Sequence, residues 1–171
     1  MTPSSKASAR TSLMVNSFQE FERIAREAGN HTEAAESTDD DHPFDSRNIH
    51  AELPPEVRRL FDNAHYSQAT FEALKFVDEE IQRIANSRDY GQSLMMHAFN
   101  ETKPVLPLNA LQTVSEINEQ TGYKFLFAGA MTGIRNPRGH KSGVVDDPDK
   151  CLDHLGLASL LLRRLDEAEL R

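Results

Sequence analysis

The sequence has little of what several classes of protein require. Its single cysteine, Cys151, excludes an intramolecular disulfide and a metal site built from a cysteine cluster. No apolar run reaches the roughly 20 residues that a membrane-spanning helix needs, and residues 1 to 30 lack the continuous apolar core of a secretion signal. We therefore expect a protein of the cytoplasm that has no membrane partner.

The chain also lacks an overall positive charge. Its 171 residues carry a formal net charge of -8. Such a protein does not bind nucleic acid or an anionic membrane through its whole surface, because like charges repel. Any polyanion must therefore meet a local basic patch. The hydrophobic content of 38% is sufficient for the core of one domain with polar ends.

Composition divides the chain into four parts. Residues 1–12 have almost nothing to bury and are predicted to be a disordered tail. Residues 13–30 repeat apolar side chains at helical spacing, which predicts an amphipathic N-terminal helix. Residues 31–43 contain several acidic residues and no Lys or Arg, so we expect a self-repelling acidic linker. The remaining residues, 44–171, are predicted to form a helical domain.

The N-terminal helix has three interpretations. It docks on the rest of the domain, binds a partner, or exchanges with a second protomer. An amphipathic helix is compatible with each of these arrangements, because each one buries its apolar face. The sequence does not choose among them.

Residues 44–171 carry signals of helices and no sustained alternation that would indicate strands. Pro54 and Pro55 open a helix, since a proline in the first turn gives up an N–H that has no partner there. Regular apolar stripes predict a longer helix over residues 66–87 and a last helix that begins at Asp147 and Pro148. Thr113 and Glu116 predict a capping box. The fold class is therefore an all-α bundle of about five helices, with the additional N-terminal helix and linker.

The segment GIRNPRGHKSG spans residues 133 to 143 and begins in the last turn of an apolar helix. That helix is predicted to end at Ile134 or Arg135, because Pro137 disfavours helix before and at its own position. The upstream Gly129 and Gly133 predict close approach of another helix, since glycine inside a helix costs up to about 1 kcal/mol relative to alanine. Residues 122 to 145 contain no Asp or Glu and four basic residues, Lys124, Arg135, Arg138 and Lys141. This segment is either a cationic helix end or a site for a phosphate.

A histidine in the same segment adds proton transfer to phosphate binding. In RNA cleavage the ribose 2′-OH attacks the adjacent phosphate, a base accepts the 2′ proton, and an acid protonates the departing 5′ oxygen. Arg135 can stabilise the developing charge, His140 can move protons, and the Asn136 amide can orient these groups. The predicted contacts to the RNA backbone come from Arg138, Lys141 and Lys124. This chemistry requires no metal and no cofactor.

One histidine performs half of the acid and base work. A symmetric homodimer that brings two copies of the segment together is an economical way to complete the site. Two further histidines, His50 and His65, flank the first helix of the domain. Each of them either joins the site or caps and packs against a helix end.

With Arg135, Asn136 and His140 identified, the chain resembles a HEPN domain. This all-α module has a signature of Arg, four to six residues, then His, often with Asn, Asp or His directly after the Arg. The stretches NIHAELPPEVRRLFDNAHYSQATFEALKFVDEEI, residues 48–81, and GYKFLFAGAMTGIRNPRGH, residues 122–140, are similar to an uncharacterised phage and bacterial family of that group, called Ymh-type. The similarity covers about residues 44–167.

The resemblance implies a metal-independent endoribonuclease that acts as a homodimer, with Arg135 and His140 at the dimer interface. It also implies a place in toxin–antitoxin, abortive-infection or other phage-defence systems, where an antitoxin or another protein of a defence complex is a partner. Other HEPN proteins have lost catalysis and serve as binding or scaffold modules. The alternative is therefore a non-catalytic module that binds RNA, a nucleotide or a protein partner.

Overall fold

A computed structural model describes residues 42–140 and 143–171. The predicted tail, the N-terminal helix and the linker up to residue 41 lie outside the described residues, as does Lys141. All regular structure in the described residues is helical, which confirms the all-α fold class. The helices are α1 (Pro43–Ser46), α2 (Pro55–Asp62), α3 (Tyr66–Ala85), α4 (Gly91–Ala98), α5 (Val114–Gly129), a π-helical segment (Ala130–Arg135), α6 (Asn136–His140) and α7 (Pro148–Glu167). None of these helices is long and apolar enough to cross a lipid bilayer.

Helix α3 lies at the centre of the bundle and contacts α2, α4, α6, α7 and the π-helical segment. Its predicted apolar stripe is confirmed, because successive positions three and four residues apart point into the core. The fully buried members of that stripe are Thr70, Ala73, Leu74, Val77 and Ile81. Helix α7 buries its predicted stripe in the same way, through Cys151, Leu155, Ala158, Leu162 and Leu165.

Three predicted helix starts of the domain are also confirmed, whereas the helix after Asp89 begins with Tyr90 as its N-cap and without a capping box. Pro54 is the N-cap of α2 and Pro55 occupies its first turn. The Thr113 side chain accepts the backbone N–H of Glu116, and the Glu116 carboxylate accepts the Thr113 N–H in return. The Asp147 carboxylate caps α7 by accepting the backbone N–H of Lys150 at 2.8 Å.

The helix that leads into the Arg135 segment does not end where the sequence predicted. Asn136 has helical dihedrals, φ -61° and ψ -43°, and the chain continues through the π-helical segment into α6. The Asn136 N–H bonds the carbonyl of Met131, five residues back, so the turn before Pro137 is wider than an α-turn. The wider turn moves the preceding carbonyls away from the proline ring, which removes the clash on which the prediction depended.

The prediction of close packing at Gly129 and Gly133 is wrong. A Cβ added to either glycine would meet no atom within 4 Å. Close approach occurs instead at Gly139, where an added Cβ would lie 2.8 Å from Cε2 of Phe71 on α3. Helix α6 therefore approaches α3 at Gly139, and the structure gives no packing reason for the other two glycines.

Candidate functional site

Arg135, Asn136 and His140 line one cleft of about 420 Å³. The π-helical segment ends at Arg135, and α6 carries the other two side chains. The opposite wall is the turn before α4 together with the first residues of that helix: Arg88, Asp89, Tyr90, Gly91, Gln92 and Ser93. We call this feature the Arg135 cleft. The structure thus brings the three predicted catalytic residues together in a concave surface.

The Arg135 guanidinium is fixed from two sides. One of its terminal nitrogens lies 3.8 Å from Oδ2 of Asp78 on α3, and its plane lies over the Phe71 ring at 5.4 Å from the ring centre. Its other terminal nitrogen donates to Oδ1 of Asn136 at 3.2 Å. The Nε atom is buried and has no hydrogen-bond partner among the described residues. Arg135 therefore presents a positioned cation whose hydrogen-bonding capacity is only partly used.

Asp78 connects the two walls of the Arg135 cleft. Its carboxylate, which is 5% exposed, accepts the backbone N–H of Gly91 at 2.8 Å. Burial raises the pKa of Asp78, and the Gly91 hydrogen bond and the Arg135 charge oppose that rise. Gly91 has φ +60°, a left-handed conformation that glycine adopts without strain. One buried carboxylate thus ties the start of α4 to α3 and attracts Arg135.

Sequence reasoning missed Asp78. The signal was present, because Asp78 is four residues after Leu74 and falls on the apolar face of α3. An acidic residue on a buried face needs a hydrogen-bond or charge partner, which makes it a candidate for a site. The sequence does not show which residue this partner is, because Arg135 is far from Asp78 along the chain.

The start of α4 adds a favourable environment for an anion. Tyr90 is the N-cap of α4 and its side chain makes no capping hydrogen bond, whereas the Asp78 carboxylate accepts the N–H of Gly91, the first of the N–H groups at this helix start. Such N–H groups carry partial positive charge and attract phosphate or carboxylate oxygens. Arg88 is exposed at the rim and adds a positive charge. Asp89, also at the rim, adds a negative charge. The Arg135 cleft thus combines two cationic side chains, one exposed imidazole and a helix start whose first N–H is bonded to Asp78.

Arg138 does not reach the Arg135 cleft. Its side chain is 5% exposed, its Nε and a terminal nitrogen donate to the two carboxylate oxygens of Asp146 at 2.6 and 2.7 Å, and its other terminal nitrogen donates to the Ile134 carbonyl. Burial alone would raise the pKa of Asp146, but hydrogen bonds from Arg138 and Lys150 outweigh it and lower this pKa to about 2. Arg138 therefore joins α6 to the start of α7.

Lys124 is likewise engaged inside the fold. Its side chain is 7% exposed and forms an ion pair with Glu101. These contacts speak against the predicted RNA-binding role of Lys124 and Arg138, because carboxylates from other parts of the chain occupy their charged ends. The acid-free stretch of sequence is therefore not a continuous positive surface in the fold.

The two other candidate histidines lie outside the Arg135 cleft. The His50 ring contacts the Asp166 carboxylate at 2.9 Å, and its backbone N–H donates to Oγ of Ser159. His65 directly precedes α3 and does not line the cleft. Packing and helix-end contacts account for His50, and neither histidine joins the predicted site.

Fold and site together define a helical-bundle protein with an Arg, Asn and His cleft. A family model described as "Protein of unknown function (Hypoth_ymh)" matches residues 47–165. The chain belongs to this family, since the match covers most of its length. Searches of curated proteins and of solved structures each found no match.

Proposed function

We propose that this protein is a metal-independent endoribonuclease of the HEPN type. The single observation that carries the proposal is the Arg135 cleft, in which Arg135, Asn136 and His140 lie beside the start of α4. These groups are the ones that transfer of a phosphate ester to a ribose 2′-OH requires: a fixed cation, a proton-transfer group and N–H donors.

In the proposed reaction the 2′ oxygen attacks the adjacent phosphorus and loses its proton to a base. The bond from phosphorus to the 5′ oxygen breaks, that oxygen receives a proton from an acid, and a 2′,3′-cyclic phosphate and a 5′-hydroxyl result. Arg135 stabilises the charge that grows on the non-bridging oxygens. His140, which is exposed at the cleft, exchanges one of the two protons.

A second copy of the chain supplies the other histidine in this proposal. A mixing experiment tests it, because a heterodimer of wild type and His140→Ala contains only one of the two histidines. If the site needs both, adding an excess of His140→Ala should lower the activity of a fixed amount of wild type as heterodimers form. If each chain contains a whole site, the activity of the wild type should stay unchanged.

The HEPN resemblance also supports a biological setting. We place the protein in the cytoplasm of a prokaryotic host, as a toxin or effector of phage defence that an antitoxin or a defence-complex protein controls. Expression in cells tests this setting, since wild type should arrest growth and His140→Ala should not. Equal growth with both proteins would argue against a toxin.

An RNA cleavage assay tests the proposed activity. We expect wild type to cut single-stranded RNA in the presence of a metal chelator, and we expect His140→Ala to leave the RNA intact. The matched control is His65→Ala, which removes an exposed histidine that lies outside the Arg135 cleft. Loss of activity in both variants would contradict a specific role of His140.

A non-catalytic binding module is the second candidate. The observation that favours it is the 3.8 Å contact of Arg135 with Asp78, because a neighbouring carboxylate offsets part of the positive charge that a transition state needs. In that case wild type and His140→Ala would both bind RNA, a nucleotide or a protein partner, and both would leave RNA uncut.

A further inference from the structure

Tyr90 exposes its aromatic ring at the rim of the Arg135 cleft. Its exposed fraction is 68%, whereas Phe99 and Phe127 are completely buried and Phe44 and Phe61 are nearly so. Within the described residues, no aromatic ring or cation packs on Tyr90, although other aromatic side chains form such pairs. The ring therefore contributes little to the core and remains largely accessible to a ligand.

The backbone that carries this ring is anchored on α3. The Gln82 side chain donates to the Asp89 carbonyl at 2.7 Å, and the next residue but one, Gly91, donates its N–H to buried Asp78. The Asp89 N–H in turn donates to Oγ of Ser87 at 3.1 Å. Tyr90 thus lies between two fixed points, so the backbone that carries its exposed ring has a defined place relative to the Arg135 cleft.

The surroundings of the ring match one kind of ligand. Arg88 lies at the same rim, and Arg135 with the start of α4 forms the part of the cleft that suits a phosphate. Single-stranded nucleic acid is bound by this combination of cations that follow the backbone and aromatic rings on which bases stack. A duplex does not fit the same description, because its bases already stack on each other and their faces are not accessible.

We infer that Tyr90 is a base-stacking subsite, which binds an unpaired base next to the phosphate held at Arg135. This inference rests on the proposed function, because it takes single-stranded RNA as the substrate of the same cleft. It assigns Tyr90 to substrate positioning, whereas Arg135 and His140 act on the phosphate.

Binding of two uncleavable strands tests the subsite. One probe is a short 2′-O-methyl oligoadenylate, which lacks the attacking 2′-OH, and the other is an abasic strand of the same length, which keeps the phosphates. For wild type we expect the oligoadenylate to bind roughly 5- to 150-fold more tightly, the range that one stacked base contributes. Tyr90→Phe should keep this ratio, and Tyr90→Ala should bring it close to one.

The matched control is Phe125→Ala. Phe125 is also an exposed aromatic residue, 58% accessible, but it lies on α5 outside the Arg135 cleft. This variant should keep the wild-type ratio. An unchanged ratio in Tyr90→Ala would overturn the inference, and so would equal binding of the two strands, or no binding of either, by wild type.

A fluorescence measurement gives a second readout. The chain contains no tryptophan, so Tyr90→Trp and Phe125→Trp each introduce a single reporter. We expect the oligoadenylate to quench Tyr90→Trp and not Phe125→Trp, and we expect the abasic strand and duplex RNA to quench neither. Equal quenching of both reporters, or of neither, would contradict stacking at residue 90.

The two proposals can fail separately. If wild type cuts RNA but Tyr90→Ala keeps its preference for the strand with bases, the nuclease stands and the subsite is wrong. If the oligoadenylate quenches Tyr90→Trp selectively but wild type never cuts RNA, the subsite stands on a non-catalytic module.

Discussion

Among the described residues, two segments contain an arginine followed at similar spacing by a histidine, and the fold treats them differently. In the first, Arg59 pairs with Glu56 on the exposed surface of α2, and His65 is exposed before α3. In the second, Arg135 is 19% exposed and contacts a carboxylate that is almost completely buried. Both segments satisfy the same sequence pattern, but in the second the arginine and the histidine line the same cleft, whereas His65 lines a separate cleft that Arg59 does not line.

The spacing of arginine and histidine along the chain does not show how firmly the arginine is held. A surface ion pair such as that of Arg59 is screened by water and has little effect on either partner. A cation next to a buried carboxylate and an aromatic face has a restricted orientation. Preorganised charge of this kind is what stabilises a transition state, and an exposed flexible arginine does not provide it.

The largest expected effect is on stability, and it compares Arg138 in the second segment with Arg58 in the first. Arg138→Ala removes the main partner of the buried Asp146 carboxylate and leaves only Lys150 as its ion-pair partner among the described residues, so we expect the free energy of unfolding to fall by about 3 kcal/mol, the lower end for a broken buried pair. Arg58→Ala removes an exposed arginine that lies 3.8 Å from Asp45, and we expect a change within about 0.5 kcal/mol. Urea denaturation of both variants measures the difference. Similar losses of stability in the two variants would show that the buried Arg138–Asp146 pair contributes no more than the exposed Arg58–Asp45 pair.

The next effect concerns cleavage and compares Arg135 with Arg59. Arg135→Ala removes the fixed cation, and we expect kcat to fall about 100- to 1000-fold, as it does when one donor to a developing charge is lost. Arg59→Ala should keep wild-type activity, because its side chain is 71% exposed and lies outside the Arg135 cleft. Single-turnover cleavage, with circular dichroism to confirm folding, decides between them.

A pH titration of stability measures how much the buried Arg138–Asp146 ion pair contributes. The pKa of Asp146 is lowered to about 2 in the folded protein, below the ordinary value of 3.8, so its contribution to stability is complete above about pH 4. As the pH falls from about 4 to about 2 the carboxylate becomes protonated and on the order of 2 kcal/mol of stability is lost. Asp146→Asn should remove this part of the pH dependence. If the variant and wild type lose stability in parallel over this range, the ion pair is not the cause.

The smallest expected effect is on stability, and it compares Gly133 and Gly139, which lie on either side of Arg135. Gly139→Ala places a methyl group against the Phe71 ring, so we expect a loss of about 1 kcal/mol as the ring shifts. Gly133→Ala enters open space in a helical segment, and we expect a gain of up to about 1 kcal/mol. Thermal denaturation of both variants measures the difference. A gain of stability in both variants would mean that helix propensity outweighs packing at residue 139, and a loss in both would contradict the expected gain at residue 133.

Local signals in the sequence were sufficient for most helix starts and for the buried stripes. The Thr113 and Glu116 pair and the Asp147 cap involve residues three positions apart, so the sequence contains both partners. The end of the helix before Arg135 was predicted wrongly, because Pro137 was weighed against an ordinary α-turn and the wider turn that accommodates it depends on contacts with α3 and α4. Arg135, Asn136 and His140, which line the Arg135 cleft, were singled out from the sequence, whereas Asp78 and Tyr90 were not, because their place beside Arg135 depends on residues distant in the chain.

The sequence by itself determined the all-α class, the apolar faces of α3 and α7 and the three side chains that the Arg135 cleft brings together, because periodicity, capping and spacing act over a few residues. Only the tertiary structure decided which basic residues remain available to a ligand. Arg138 and Lys124 lie near Arg135 in sequence, but Asp146 and Glu101 engage them. Charge pairing between helices depends on how those helices pack, and no count of charges along the chain contains that information.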